Sequence, residues 1–224
     1  MMQQKEQTTA YVAAALTPQS TTSPVDALSA SIDPITNISD TALGEIIGAY
    51  TGLQHNGMYS TSTVENVGGT IGAQLHAPVT YSALTANAIA TNPDTSYQAM
   101  MSYRTALQKT LKPLTANTLP EYELFGLYVQ TKDQSYLNQL KTAESNYIAA
   151  ASSTAALTVP SDAVAVQLGL VNSMREFAAT LDALIAHADD PIASTILLKN
   201  YNQAENDVLT AFQALVTYEK SKTQ

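Results

Sequence analysis

The chain has 224 residues, 19 Asp and Glu against 10 Lys and Arg, and a net charge of −9. No Lys/Arg cluster occurs, so tracking a phosphate backbone and docking on an anionic membrane surface are both disfavoured. With no cysteine, disulfides, zinc–thiolate sites and thiol catalysis are excluded.

Hydrophobic residues make up 45% of the chain, but charged residues only 13%, against about 25% in typical domains. Thr, Ser, Asn and Gln supply the missing polarity, a surface commoner on exported proteins than in cytosolic enzymes. No stretch approaches the roughly 20 apolar residues of a membrane span. The apolar run 10–16 is too short for one and reads as a turn or two of helix, or as the tail of a removed signal or anchor.

Residues 17–37 read as a linker, because Pro18, Pro24 and Pro34 stand among serines and threonines. A short helix over about 25–31 fits inside it. The domain reading is 1–37 as N-terminal segment and linker and 38–224 as helical bundle. Ser39 is the expected N-cap of the first bundle helix, with Leu43, Ile46, Ile47, Tyr50 and Leu53 on one face until Gly57. A second helix begins near Ser62 and carries Val64, Val67, Ile71 and Leu75. Gly68, Gly69 and Gly72 each weaken it by up to about 1 kcal/mol relative to Ala. Around His76–Tyr81 a brief extended segment is expected.

Asn92-Pro93 opens the second half. Tyr97, Met100, Arg104, Leu107, Leu111 and Leu114 recur at helical spacing, and Pro113 forces a kink or an end. Pro120 starts a shorter helix carrying Leu124, Leu127 and Tyr128. Tyr136, Leu140, Ala143, Tyr147, Ala150 and Leu157 mark another over about 133–157. The last sixty residues carry two long stripes separated by Asp190-Pro191. Val171, Met174, Ala178, Leu181, Ile185 and Ala188 form the first, on 162–188. Leu197, Tyr201, Ala204, Val208, Ala211, Leu215 and Tyr218 form the second, on 191–220. Spacings of 3 and 4 keep one face toward a partner helix. Pro93, Pro120, Pro160 and Pro191 all fall where a missing N–H costs least. The fold expected is an all-α, up-and-down helical bundle. A homo-oligomer is compatible with such stripes.

Chemistry is sparse. His55, His76 and His187 do not form a zinc-ligand set, and His187 suits the negative end of a helix dipole. Gly68-Gly69-Thr70-Ile71-Gly72 lacks the Lys of a phosphate loop, and no Gly-x-Ser-x-Gly elbow occurs. Glu121/Glu123 and Asp189/Asp190 pair at helix starts, where the dipole favours negative charge. Tyr97, Tyr136, Tyr147, Tyr201 and Tyr218 fall on apolar stripes. Catalytic, metal and cofactor-binding residues are therefore expected to be absent. Arg104 and Arg175, the two arginines, are the candidate contacts for an anion or other ligand.

Val159-Pro160, Leu168, Leu170-Val171-Asn172-Ser173, Asp190-Pro191 and Tyr201 lie in a suggestive order, preceded by Asn37-Ile38-Ser39-Asp40 and Tyr50-Thr51-Gly52-Leu53. In these the chain resembles, over about 37–220, a family of uncharacterised helical proteins from candidate-phyla (Patescibacteria) bacteria. The resemblance implies an extracytoplasmic or cell-envelope domain, with any anchor preceding Met1, and implies no reaction. The expected function is a non-enzymatic interaction or scaffold module with a protein partner at the envelope. The alternative is a sensory bundle binding a small molecule between helices.

Overall fold

A computed structural model describes residues 33–223. The apolar run 10–16, the helix over 25–31 and most of the linker lie outside them. Seven α-helices are described: α1 (Pro34–His55), α2 (Thr61–Gln74), α3 (Tyr97–Thr110), α4 (Glu121–Thr131), α5 (Gln134–Ala155), α6 (Val164–Ala186) and α7 (Pro191–Ser221). The fold is all-α. The chain divides into two compact units at Pro78–Val79, inside the single 38–224 domain read from the sequence.

The described residues of the first unit, 33–78, form a helical hairpin. Its first helix begins five residues before the expected cap, because Asp33-Pro34 is a start signal and not part of a linker. The Asp33 carboxylate accepts from the Ile35 N–H at 3.0 Å, and Pro34 occupies the first turn. Ser39 is thereby a buried mid-helix residue. The hairpin turns at Gly57, whose φ of +65° is the left-handed conformation that favours glycine. Ser60 caps α2 by accepting from the Thr63 N–H at 3.2 Å. Despite its three glycines, α2 runs unbroken for 14 residues. Among the described residues Leu53, Val67 and Ile71 form one core cluster, with Ala49, Met58 and Leu75 against it. The rest of the expected α1 face is outside that core: Leu43, Ile46, Ile47 and Tyr50 are exposed.

The second unit is the bundle, with α6 at its centre between α5 and α7. The sequence stripe is buried on α6 at Val171, Met174, Ala178 and Leu181 and just past its end at Ala188, while Ile185 is half-buried. Leu170, Phe177 and Leu184 are buried as well, so α6 presents apolar residues to several neighbours rather than to one. All seven stripe residues of α7 are buried. Asp190 caps that helix through the N–H groups of Ile192 and Ala193, at 2.9 and 3.0 Å. At one level of the core Met100, Tyr103 and Leu107 of α3 meet Leu170, Val171 and Met174 of α6 and Leu215 of α7. At another, the Phe177 ring lies between Tyr147 and Tyr201, with centroids 4.7 and 5.2 Å away.

Three further expectations need correction. On α3, Tyr97 and Arg104 are exposed and Tyr103 is buried. The helix starts at Tyr97, not at Pro93, because Asn92, Asp94 and Ser96 each cap a backbone N–H two or three residues ahead. The segment 76–84 carries no strand. The strand pairing among the described residues is parallel, Thr91–Asn92 with Val159–Pro160. Side chains of α6 take the place of a neighbouring strand at Leu84. The Asn172 amide accepts from the Leu84 N–H at 2.8 Å and donates to its carbonyl at 3.1 Å.

Candidate functional site

The two arginines separate into different roles. Arg104 Nε lies 3.5 Å from Glu219 Oε2, an ion pair between α3 and α7. Arg175 has no carboxylate within ion-pair distance among the described residues. Its guanidinium donates one hydrogen bond, Nη1 to the Ser82 carbonyl at 2.8 Å. The remaining N–H donors of its planar fork are uncommitted.

Arg175 lines a surface cleft of about 410 Å³ between α5 and α6. The α6 wall is Arg175, Ala178, Ala179 and Asp182, spaced i, i+3, i+4 and i+7, which is one helical face. The α5 wall is Glu144, Ile148 and Ser152, spaced i, i+4 and i+8. Tyr81 and Ser82 close the Arg175 end. The Tyr81 hydroxyl donates to Glu176 Oε2 at 3.2 Å; burial first, then the Glu176 charge, raise its pKa.

The other end is anionic. The Glu144 side chain is buried, with an exposure of 8%, and Asp182 is exposed. Lys141 bridges them, its Nζ 2.8 Å from Glu144 Oε2 and 2.7 Å from Asp182 Oδ1. Its hydrogen bonds to Asp182 and then to Glu144 push the ammonium up to about 12. One ammonium against two carboxylates leaves this end negative. The cleft is thus cationic at Arg175 and anionic two turns away.

A second polar cluster lies inside the bundle. Glu121, expected to be a solvated helix-start residue, is buried at 8% exposure. Its Oε1 accepts from Asn117 Nδ2 at 3.0 Å, and Asn117 Oδ1 accepts from Asn146 Nδ2 at 2.7 Å. Burial, reinforced by the charge of Glu205, raises the Glu121 pKa. The Tyr201 hydroxyl donates to Glu205 Oε1 at 3.1 Å. The phenols of Tyr147 and Tyr201 are also pushed up, chiefly by burial. Neither phenol is therefore a lowered-pKa nucleophile.

Of the remaining candidates, Asp190 is the α7 cap, and Asp189 accepts from the Tyr128 hydroxyl at 2.8 Å and from Lys132 Nζ at 2.9 Å. His187 is the C-cap residue of α6. No group of three or more His, Asp or Glu residues that could hold a metal occurs among the described residues. No described helix is long and apolar enough to cross a membrane.

Sequence reasoning reached Arg175 but not Glu144, Asp182 or Tyr81. The arrangement cation, small, small, anion at helical spacing is readable on α6, and so is the i, i+4, i+8 face of α5. Nothing local to Tyr81 and Ser82 indicates that they meet a residue more than ninety positions away. Comparison with family models, with curated proteins and with solved structures finds no match for this chain.

Proposed function

We propose that this all-α protein is a non-enzymatic interaction or scaffold module of the cell envelope, acting outside the cytoplasm. The observation that carries the reading is the apolar row on α1. Leu43, Ile46, Ile47 and Tyr50 have exposures of 47, 47, 56 and 48%, and clustered exposure of this kind marks interaction surfaces. Tyr50 stacks edge-on with the exposed Tyr59 at 5.4 Å, which extends the surface with a rigid aromatic pair. Residues 33–78 carry Asp33, Asp40, Glu45 and Glu65 and neither Lys nor Arg. The partner that fits is therefore a protein segment with an apolar face flanked by basic residues, its charge complementing these carboxylates. The charge-poor, hydroxyl- and amide-rich composition and the family resemblance support the extracytoplasmic location.

A photo-crosslinking residue at Ile47, introduced in cells, tests the reading. The expected result is one discrete adduct in the envelope fraction with a protein bearing such a basic amphipathic segment. It should weaken as salt rises and be absent with the crosslinker at exposed Gln213. An adduct only with a second copy of this chain would make α1 a self-association face instead. No adduct in the envelope fraction would overturn the proposal.

The cleft at Arg175 favours a second reading, a bundle that binds a small molecule between helices. A tyrosine, an arginine with uncommitted donors and an apolar floor converge there, the combination expected of a ligand site.

A further inference from the structure

We propose that the cleft between α5 and α6 binds a short linear zwitterion, the class of a free peptide of two or three small residues, with its carboxylate on Arg175 and its ammonium at the Glu144–Asp182 end. The inference rests on the small-molecule reading of this cleft and gives it a ligand class.

The geometry sets the length. Arg175 and Asp182 are seven residues apart on one helix, a rise of about 10.5 Å at 1.5 Å per residue. An extended peptide advances about 3.3–3.6 Å per residue, so three residues cover that rise and two cover most of it. A single amino acid, with its two charges on adjacent atoms, reaches one end only.

Charge sets the polarity. The uncommitted donors of Arg175 match the two oxygens of a carboxylate, the pairing that a guanidinium makes bidentately. At the far end Lys141 neutralises one of two carboxylates, which leaves one negative charge for a ligand ammonium. Glu144 is buried there, and a partly desolvated carboxylate attracts a cation more strongly than one in open water.

The floor sets the size. Ala178 and Ala179 lie between the charged ends, and Ile148 faces them from α5. Two methyl groups leave room for a ligand backbone and small side chains. At about 410 Å³ the cleft is at the lower end of the usual range for ligand sites.

The test is calorimetric titration of the full chain with tri-L-alanine, its N-acetyl form, its C-terminal amide and L-alanine. Saturable binding of tri-L-alanine is expected, at least about tenfold tighter than each of the other three, since each lacks one charge-assisted contact or the length to make both. Arg175→Gln should lower affinity for tri-L-alanine about tenfold or more while leaving that for the amide nearly unchanged. Asp182→Asn should do the converse with the N-acetyl form. Unaltered circular dichroism shows that both variants fold. Equal binding of all four compounds would overturn the zwitterion proposal and leave the small-molecule reading standing. No saturable binding of any of them at millimolar concentration would overturn the zwitterion proposal, and a mixed metabolite extract that likewise gives no heat would end the small-molecule reading.

Discussion

The Tyr103 hydroxyl donates to Gln167 Oε1 at 2.8 Å across 64 residues of sequence, and both side chains are buried. Gln167 in turn donates to the Thr154 carbonyl, so a single amide ties α3, α5 and α6 together at the centre of the core. Such groups contribute modestly when paired and cost much when orphaned.

Tyr103→Phe should therefore destabilise the protein by about 1–3 kcal/mol, because it leaves the Gln167 oxygen buried without its donor. Gln167→Leu should cost a similar amount by stranding the Tyr103 hydroxyl. The double variant should cost clearly less than the sum, since no orphaned hydroxyl–amide partner remains. Urea unfolding of the four proteins measures the coupling. Strict additivity would mean that the two groups do not depend on each other.

Leu181 has no exposed surface and lies in the C-terminal third of α6, five residues before its end. Truncation to Ala should cost about 2–5 kcal/mol through lost burial and the cavity left behind. Gln213→Ala, on the exposed side of α7, should change stability by less than about 0.5 kcal/mol. A comparable loss from both would show that α6 is not the central helix. Concentration-dependent unfolding of Leu181→Ala would move its stripe to a subunit interface.

Asp189 joins the end of α4 to the α6–α7 turn through Lys132 and Tyr128. The bond from Lys132, then that from Tyr128, holds its pKa below 3.8. A carboxylate with a depressed folded pKa contributes stability that is present above its unfolded pKa and lost as pH falls through the folded one. The melting temperature of wild type should thus exceed that of Asp189→Asn at neutral pH, and the difference should shrink below about pH 4. A difference independent of pH would assign the effect to shape, not charge.

Glu121 titrates with the opposite sign. Its pKa is raised above 4.5, mainly by burial, so the charged form is disfavoured in the folded state. Its ionisation lowers stability at neutral pH, and protonation on acidification restores it. Glu121→Gln keeps an oxygen for the Asn117 amide and removes the charge. It should be neutral to stabilising at pH 7, and any gain should vanish below about pH 4. Thermal melts at both pH values measure this; a marked loss at pH 7 would mean that the carboxylate is held by interactions stronger than its desolvation.

Much of the fold is determined by local sequence. Asp190-Pro191 starts the last helix at its expected place. The α7 stripe is buried at every residue that its 3/4 spacing names, because one face of that helix is covered and periodicity reports one covered face well. Where a helix has several covered faces, or is covered along residues other than its apolar row, the same signal misleads. On α6 the stripe omits Leu170, Phe177 and Leu184, which are buried against further neighbours. On α1 it names Leu43, Ile46, Ile47 and Tyr50, which the hairpin leaves exposed. Periodicity records which residues are apolar, whereas burial depends on what is placed opposite. The candidate site follows the same division. Arg175 is conspicuous as one of two arginines, but Arg104 is neutralised by Glu219 and Arg175 is not. That difference, the burial of Glu144 and the approach of Tyr81 to Glu176 arise from segments distant along the chain. Tertiary structure alone brings those segments together, because charge balance and desolvation are properties of a place in the fold and not of a residue in the sequence.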